Sequence, residues 1–304
     1  MNLDRTSPRI LCIGMPVRDL TFHVQSVPTR GSKTNASHFT EICGGNALNA
    51  AIGIARLGGR PTLCGPMGDA HETARQYIFD RLAEEGIETN HLVHMPGLVT
   101  PISAIMIDPS GERTIAVFRD PDLWKVRLPS IERLLHGCSA ILTESRCAEF
   151  CTELCAEARR RGIPVIVGVD RAMSLHEGLL TASSHLVFSS ESLQETAGIS
   201  DDGRALQEIA KLTSSFLAGT RGPNGTIWLD EFGGLQQTPA FPVVSVDTLG
   251  AGDIFHGAFA LAITEGMDIR QALPFASAAA ALKCTRFGGA FAAPQRSEVE
   301  RLLG

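Results

Sequence analysis

Strand-like and helix-like runs take turns along this chain, and that alternation restricts its fold more than any other feature. Ile10 to Ile13, Thr62 to Cys64, Ser139 to Leu142, Val165 to Val167, His185 to Phe188 and Thr226 to Leu229 are short, apolar and rich in β-branched residues, as strands are. Ala47 to Leu57, Ala74 to Glu85, Cys151 to Arg161, Ala205 to Leu212 and Asp253 to Thr264 carry helical spacing. Strands joined by crossover helices imply an α/β fold whose sheet is mostly parallel and covered on both faces. Ligands are then expected beyond the carboxyl ends of the strands.

Residues 16–42 and 99–121 break the rhythm with short alternating segments and turn residues. Pro101 to Asp108 and Glu112 to Phe118, joined through Pro109, Ser110 and Gly111, read as a hairpin. The two stretches together suit a small second sheet inserted in the main unit, placed to act as a lid. With 304 residues, 44% of them hydrophobic, the chain has enough apolar material for one large α/β unit, residues 1–304, with this appendage. A terminal helix is expected over Ser297 to Leu303.

A net charge of -6 supplies no electrostatic reason to bind nucleic acid. The run Ile10 to Ile13 is too short for a signal-peptide core, so a cytoplasmic location is expected. No stretch approaches the ~20 apolar residues of a membrane span, so no membrane role is expected. The eight cysteines then read as reduced thiols. Cys147, Cys151 and Cys155 fall along one helical face, where buried packing explains them better than a zinc site lacking further ligands at suitable spacing.

Chemistry concentrates in Val246-Asp247-Thr248-Leu249-Gly250-Ala251-Gly252-Asp253, where an apolar strand end runs through two glycines into a helix. Backbone amides at such a helix start favour an anion, above all the charge on a transferring phosphoryl group. Asp253 stands where it can take a proton from an attacking hydroxyl. The bland alternative is a tight turn capped by an aspartate. A second glycine pair, Gly44-Gly45, opens an Ala-rich helix with Asn46 and Asn49, whose amides suit a polyol. Two glycine-led helix starts fit a reaction that joins two polar ligands.

Gly44-Gly45-Asn46 with Asn49, then Ala55-Arg56-Leu57-Gly58, together with Asp247-Thr248 and Gly250-Ala251-Gly252-Asp253, resemble the two signatures of the ribokinase-like (PfkB) sugar kinases. The order and separation match as well, from about Ile10 to the Pro294 region. The resemblance implies a doubly wound α/β domain with a small β-sheet lid and transfer of the γ-phosphoryl group of ATP, accompanied by Mg2+, to a sugar hydroxyl. It implies Asp253 as catalytic base and the amides of Gly250, Ala251 and Gly252 as the anion hole. Asp19, in the loop after the first strand, would grip sugar hydroxyls with Gly44, Gly45 and Asn49. Thr220, Gly222 and Gly225, with Ser189 and Ser277, would contact nucleotide. Asp247 and the Leu249 carbonyl, with carbonyls near Cys284 and Gly289, resemble the monovalent-cation (K+) site of some members.

Some positions depart from the family pattern. Ser189 and Ser192 stand where an Asn and a Glu often serve the metal-phosphate region, and Gly68-Asp69-Ala70-His71-Glu72 keeps only part of the usual acidic turn. The tail Ala281-Leu282-Lys283-Cys284-Thr285-Arg286, followed by Gly288-Gly289, looks most like the sulfofructose-kinase branch, as does the stretch Pro28 to Lys33. In that branch Lys33 and Arg146 match basic anion-reading positions, while Val117 replaces a polar lid residue. An anionic sugar and a neutral sugar or nucleoside therefore both stay open.

Competing classes are a nicotinamide dehydrogenase, which lacks its Gly-x-Gly-x-x-Gly after the first strand, and a P-loop kinase, whose motif is absent. A non-catalytic sugar-binding protein that kept the fold is the remaining alternative. A lid with exposed strand edges also raises the expectation of a homodimer.

Overall fold

The structure is a computed structural model that describes residues 7–109 and 113–304. Its strands are β1 (Arg9–Ile13), β2 (Val17–Val24), β3 (Ala36–Gly44), β4 (Arg60–Gly68), β5 (Glu88–Met95), β6 (Ile102–Ile107), β7 (Arg113–Phe118), β8 (Ala140–Glu144), β9 (Val165–Val169), β10 (His185–Ser189), β11 (Phe216–Thr220), β12 (Thr226–Leu229) and β13 (Leu235–Thr238). Its helices are α1 (Asn46–Arg56), α2 (Glu72–Glu84), α3 (Ile131–Leu135), α4 (Ala148–Arg160), α5 (Gly178–Ala182), α6 (Ser190–Ala197), α7 (Asp202–Ile209), α8 (Ala251–Thr264), α9 (Ile269–Cys284) and α10 (Arg296–Leu303).

Among the described residues the main sheet runs β13-β12-β11-β10-β9-β8-β1-β4-β5. It is parallel from β11 to β5, and β12 and β13 add antiparallel at one edge. Both faces are buried because side chains alternate along each strand. Ile10 and Cys12 of β1 enter a core with α1, α8 and α9, whereas Leu11 and Ile13 enter a second core with α4 and α7. From β1 the chain builds outward through β4 to β5, then returns to place β8 on the other side of β1. That reversal opens a crevice at the carboxyl ends of β1 and β8, where such folds bind ligands.

The second sheet, β3-β2-β6-β7, is drawn from residues 16–42 and 99–121 and slightly beyond. β2 pairs antiparallel with β3 and parallel with β6, and β6 pairs antiparallel with β7. Of the hairpin expected here, Ser110, Gly111 and Glu112 lie outside the described residues, as do Met1 to Thr6.

Several expectations need correction. Asp19 lies within β2, not in a loop, so sheet pairing to Ile42 and Ser103 holds its backbone. No strand runs directly into Gly250: residues 241–247 are irregular, and Val244 is 84% exposed. Helix α9 was not expected, since Pro274 lies inside it and deprives the Arg270 carbonyl of its helical donor. The Asp268–Gln271 capping box starts that helix nonetheless. β5 escaped notice because Asn90, His91 and His94 interrupt its apolar pattern, and pairing with β4 decides its conformation. Helix α7 begins three residues earlier than expected, capped by Asp201, and α10 begins at Arg296 with a Gln295–Glu298 capping box. Cys151 and Cys155 line the buried side of α4, and Cys147, also buried, stands at its N-cap.

Helices α1 and α8 approach closely enough to fix the crevice. A Cβ on Gly257 would lie 2.5 Å from the Ala50 carbonyl oxygen, and one on Gly53 would lie 3.0 Å from Ile254 Cδ1. Helix propensity alone would make Gly257→Ala stabilising by about 1 kcal/mol. The backbone contact predicts the opposite, a loss of about 1–3 kcal/mol as the helices are forced apart. Thermal melting checks this, and a Tm equal to or above the wild type contradicts the close-packing account.

Candidate active site

Both glycine pairs do start helices at the crevice. Gly45 caps α1 at φ 101° and Gly250 caps α8 at φ 78°, a region that residues with a Cβ rarely adopt. At Gly45 a Cβ would also strike the Met15 carbonyl oxygen at 2.3 Å. No side chain caps α8, and a Cβ on Gly252 would meet nothing within 4 Å, so the head of this helix is open. One of the three expected anion-hole amides is engaged in the turn: Ala251 N–H donates to the Thr248 carbonyl at 3.2 Å.

Asp253, in the first turn of α8, accepts a 2.8 Å hydrogen bond from Asn49 Nδ2 on α1. Burial pushes its carboxyl up to about 7, against the Asn49 hydrogen bond, and the charges of Asp170 and Asp19 add to the rise while Lys283 opposes it. Asp253 thus sits at the pKa that suits a general base near neutrality.

Asp19 on β2, a strand of the lid sheet, is buried. Burial raises its pKa, while a hydrogen bond with Ser103 and the nearby Arg119 charge oppose the shift. A Cβ on Gly44 would fall 2.0 Å from Asp19 Oδ2, so only glycine leaves room for this carboxylate. Asp19, Gly44, Gly45 and Asn49 are therefore brought together as the sequence implied.

The crevice also holds groups that the sequence reading did not select. Glu144 ends β8, is buried, and is pushed up to about 8 by burial, then by Asp170 and Asp253, against Arg146 and Arg119. Asp170, just beyond β9, accepts hydrogen bonds from Asn46 Nδ2 (3.0 Å) and from Arg146 Nε (3.1 Å) and Nη2 (2.8 Å). Although burial would raise its pKa, these bonds and the Arg146 charge hold it below the usual range. Arg119 follows β7 and feels Arg146, Glu144, Asp170 and Asp19, yet makes no ion pair within 4.0 Å among the described residues. Asn46, Glu144, Asp253 and His256 line one narrow cavity, and Gly45, Asn46, Arg119, Glu144 and Arg146 line the next. His256 is held neutral by burial, which pulls it down to about 4. The available signal for Glu144 and Asp170 was position, since each stands at the carboxyl end of a central strand.

Other expected contacts are less concentrated. Lys33 is exposed on the loop between β2 and β3 and lines neither cavity. Thr220 ends β11 and donates to the Phe188 carbonyl at 3.2 Å, and Gly222 at φ 53° faces open space. Gly225 has no room for a Cβ, which would sit 2.2 Å from the Thr238 carbonyl oxygen. Ser189 caps α6 by accepting from Ser192 N–H at 3.1 Å, and its hydroxyl donates to Ser192 Oγ at 2.9 Å. Ser277 is buried within α9. No helix among the described residues is long and apolar enough to cross a membrane.

Comparison with known proteins agrees with this geometry. The family model described as pfkB family carbohydrate kinase matches residues 7–296. A ribokinase of Bacillus subtilis (strain 168) is 28% identical over 299 residues, covering 97% of this chain and 99% of the relative. The crystal structure of a putative ribokinase from Agrobacterium tumefaciens superposes with a TM-score of 0.91 at 36% identity, covering 97% of each chain. The structure of Arabidopsis thaliana ribokinase complexed with ribose and ATP shares the fold at a TM-score of 0.83 and 21% identity, covering 98% of this chain and 99% of that one. The chain belongs to the PfkB family and is an ATP-dependent carbohydrate kinase.

Proposed function

We propose that this kinase phosphorylates a hydroxyl of a small sugar that carries an anionic group, with Asp253 as the general base. The Asn49–Asp253 hydrogen bond at 2.8 Å carries the catalytic part of this reading, because it joins the polyol wall to the proton acceptor. Asp19 and Asn49 hold and orient acceptor hydroxyls, since a carboxylate accepts two hydroxyl hydrogen bonds and a side-chain amide can donate or accept. The acceptor oxygen then attacks the γ-phosphorus, its proton passes to Asp253, and the bond from phosphorus to the ADP oxygen breaks. The amides of Gly250 and Gly252 at the open head of α8 favour the charge on the transferring group, while that of Ala251 donates within the turn. Lid closure over the crevice excludes water.

The phosphate donor, ATP, is assigned to the Thr220–Gly225 turn, with Gly222 facing open space. When bound, Mg2+ neutralises charge shared by the nucleotide phosphates. The hydroxyls of Ser189 and Ser192 are committed within the cap of α6 and to the Val169 carbonyl, so they do not suit a direct metal site. The ion is therefore assigned to the nucleotide alone.

For the acceptor, Arg119 is the informative residue. Arg146 is already paired with Asp170, whereas Arg119 borders the same cavity without an ion pair among the described residues and can bind a phosphate, sulfonate or carboxylate in a bidentate manner. The ribokinase relatives favour a neutral pentose, and a nucleoside also belongs among the candidates. Incubation with ATP, Mg2+ and matched neutral sugars, sugar acids, sugar phosphates, sugar sulfonates and nucleosides separates these readings. Anionic acceptors are expected to have the highest kcat/KM, and Arg119→Gln to lose that preference by about 10-fold or more, the scale of a charged hydrogen bond. A wild-type preference for neutral ribose removes the anionic reading.

Asp253 predicts a specific pH profile. Its pKa of about 7 means that the base is charged above that pH and protonated below it. Turnover is thus expected to rise with pH through about 7 and level above it. Asp253→Asn should lower kcat by about 10²- to 10⁴-fold with near-normal nucleotide affinity. A variant with wild-type turnover eliminates Asp253 as proton acceptor.

The lid supports a further proposal, a homodimer. Phe118 is 52% exposed and Val117 45%, both on the edge strand β7, with Phe39 exposed across the sheet on β3. An unpaired apolar edge favours association with another copy. Analytical ultracentrifugation is expected to show a dimer that Val117→Asp weakens, and a wild-type monomer at assay concentration refutes this arrangement.

A further inference from the structure

Lys283 occupies a position with consequences for the whole head of α8. It lies in the last turn of α9 with its side chain 0% exposed, and its Nζ stands 2.7 Å from the Asp247 carbonyl oxygen and 3.2 Å from Asp247 Oδ2. A buried ammonium persists where opposite charge and hydrogen-bond acceptors meet it, and Asp247 supplies both. The same carboxylate binds the turn on either side of it. Oδ1 accepts from Leu249 N–H at 2.9 Å, and Oδ2 accepts from Gly289 N–H at 3.0 Å and Gly288 N–H at 3.2 Å. One ion pair therefore ties the turn that precedes Gly250 to the turn that follows α9.

These are the residues that family resemblance marks for a monovalent cation, and they do not fit one. The Asp247 carbonyl already accepts from Lys283. The Cys284 carbonyl accepts from Val246 N–H at 2.8 Å and Asp247 N–H at 3.2 Å. An ion placed on the remaining oxygens would lie beside an ammonium of its own sign and compete with it for Asp247. We infer that Lys283 is the built-in cation of this enzyme: its ammonium holds Asp247 and the turn leading to Gly250 in place permanently, and K+ is neither bound there nor required. Lys283 acts through that turn, so it is a positioning residue. The activity arm of its test rests on the kinase reading above, whereas the binding and melting arms do not.

The full chain, dialysed free of alkali ions, is compared in KCl, NaCl and choline chloride at constant ionic strength. Three readouts are kcat with the best acceptor, the melting temperature, and binding of Tl+ as a K+ probe by 205Tl NMR. For the wild type we expect kcat equal within twofold in K+ and choline, no K+-specific rise in Tm, and no saturable Tl+ binding. Lys283→Ala, which empties the ammonium site, is expected to lose at least 10-fold in kcat in choline and to regain part of it with K+ or methylammonium, with a new K+-specific rise in Tm. Several-fold stimulation of the wild type by K+, or stoichiometric Tl+ binding to it, overturns the inference. So does Lys283→Ala with wild-type kcat in choline. If that variant does not fold, the wild-type measurements decide the matter alone. Absence of phosphorylation in every salt would count against the proposed function, while Tm and Tl+ binding still test the role of Lys283.

Discussion

The close contact between α1 and α8 is the constraint on which the rest of the site depends. Each helix starts at a glycine with positive φ, and each directs its first turn into the crevice between the main sheet and the lid. Because Gly257 lies against the Ala50 backbone, the helices run near enough for Asn49 to reach Asp253. A larger residue in that seam would force the two helix heads apart. The packing of a buried face thus sets the distance between Asn49 and Asp253.

Electrostatics in the crevice follow from the same enclosure. Asp19, Glu144, Asp170 and Asp253 converge where burial disfavours charge, and their mutual repulsion adds to that effect. Arg146 resolves part of the conflict by holding Asp170 ionised. Lys283 counteracts the rise at Asp253 from behind the turn. The outcome is a division of labour among chemically similar acids: Asp170 stays charged, Glu144 tends to keep its proton, and Asp253 lies near the midpoint, where proton exchange is easiest.

The elements most legible in the sequence were those whose local signals agreed with their tertiary role. β1, β9 and β10 read as uninterrupted apolar runs because both of their faces are buried, and α1 and α8 announced themselves through glycines that only a tight helix entry requires. Where tertiary forces outweighed local ones the reading failed. β5 is polar in places and is held by β4, α9 contains a proline, and Asp19 belongs to a strand paired to Ile42 and, more than eighty residues on, to Ser103. Lys33 and Arg146 both match basic positions of the sulfofructose-kinase branch, but a matched position carries no direction: one is exposed on the lid loop and the other is bound to Asp170.

By itself the sequence determined the fold class and the two helix heads, because hydrophobic periodicity and glycine placement are local and are written in consecutive residues. Only the tertiary structure decided where Glu144, Asp170, Arg119 and Lys283 stand and which charges they meet. Their chemistry depends on which charges stand a few ångströms away and how little water lies between, and those neighbours come from distant parts of the chain.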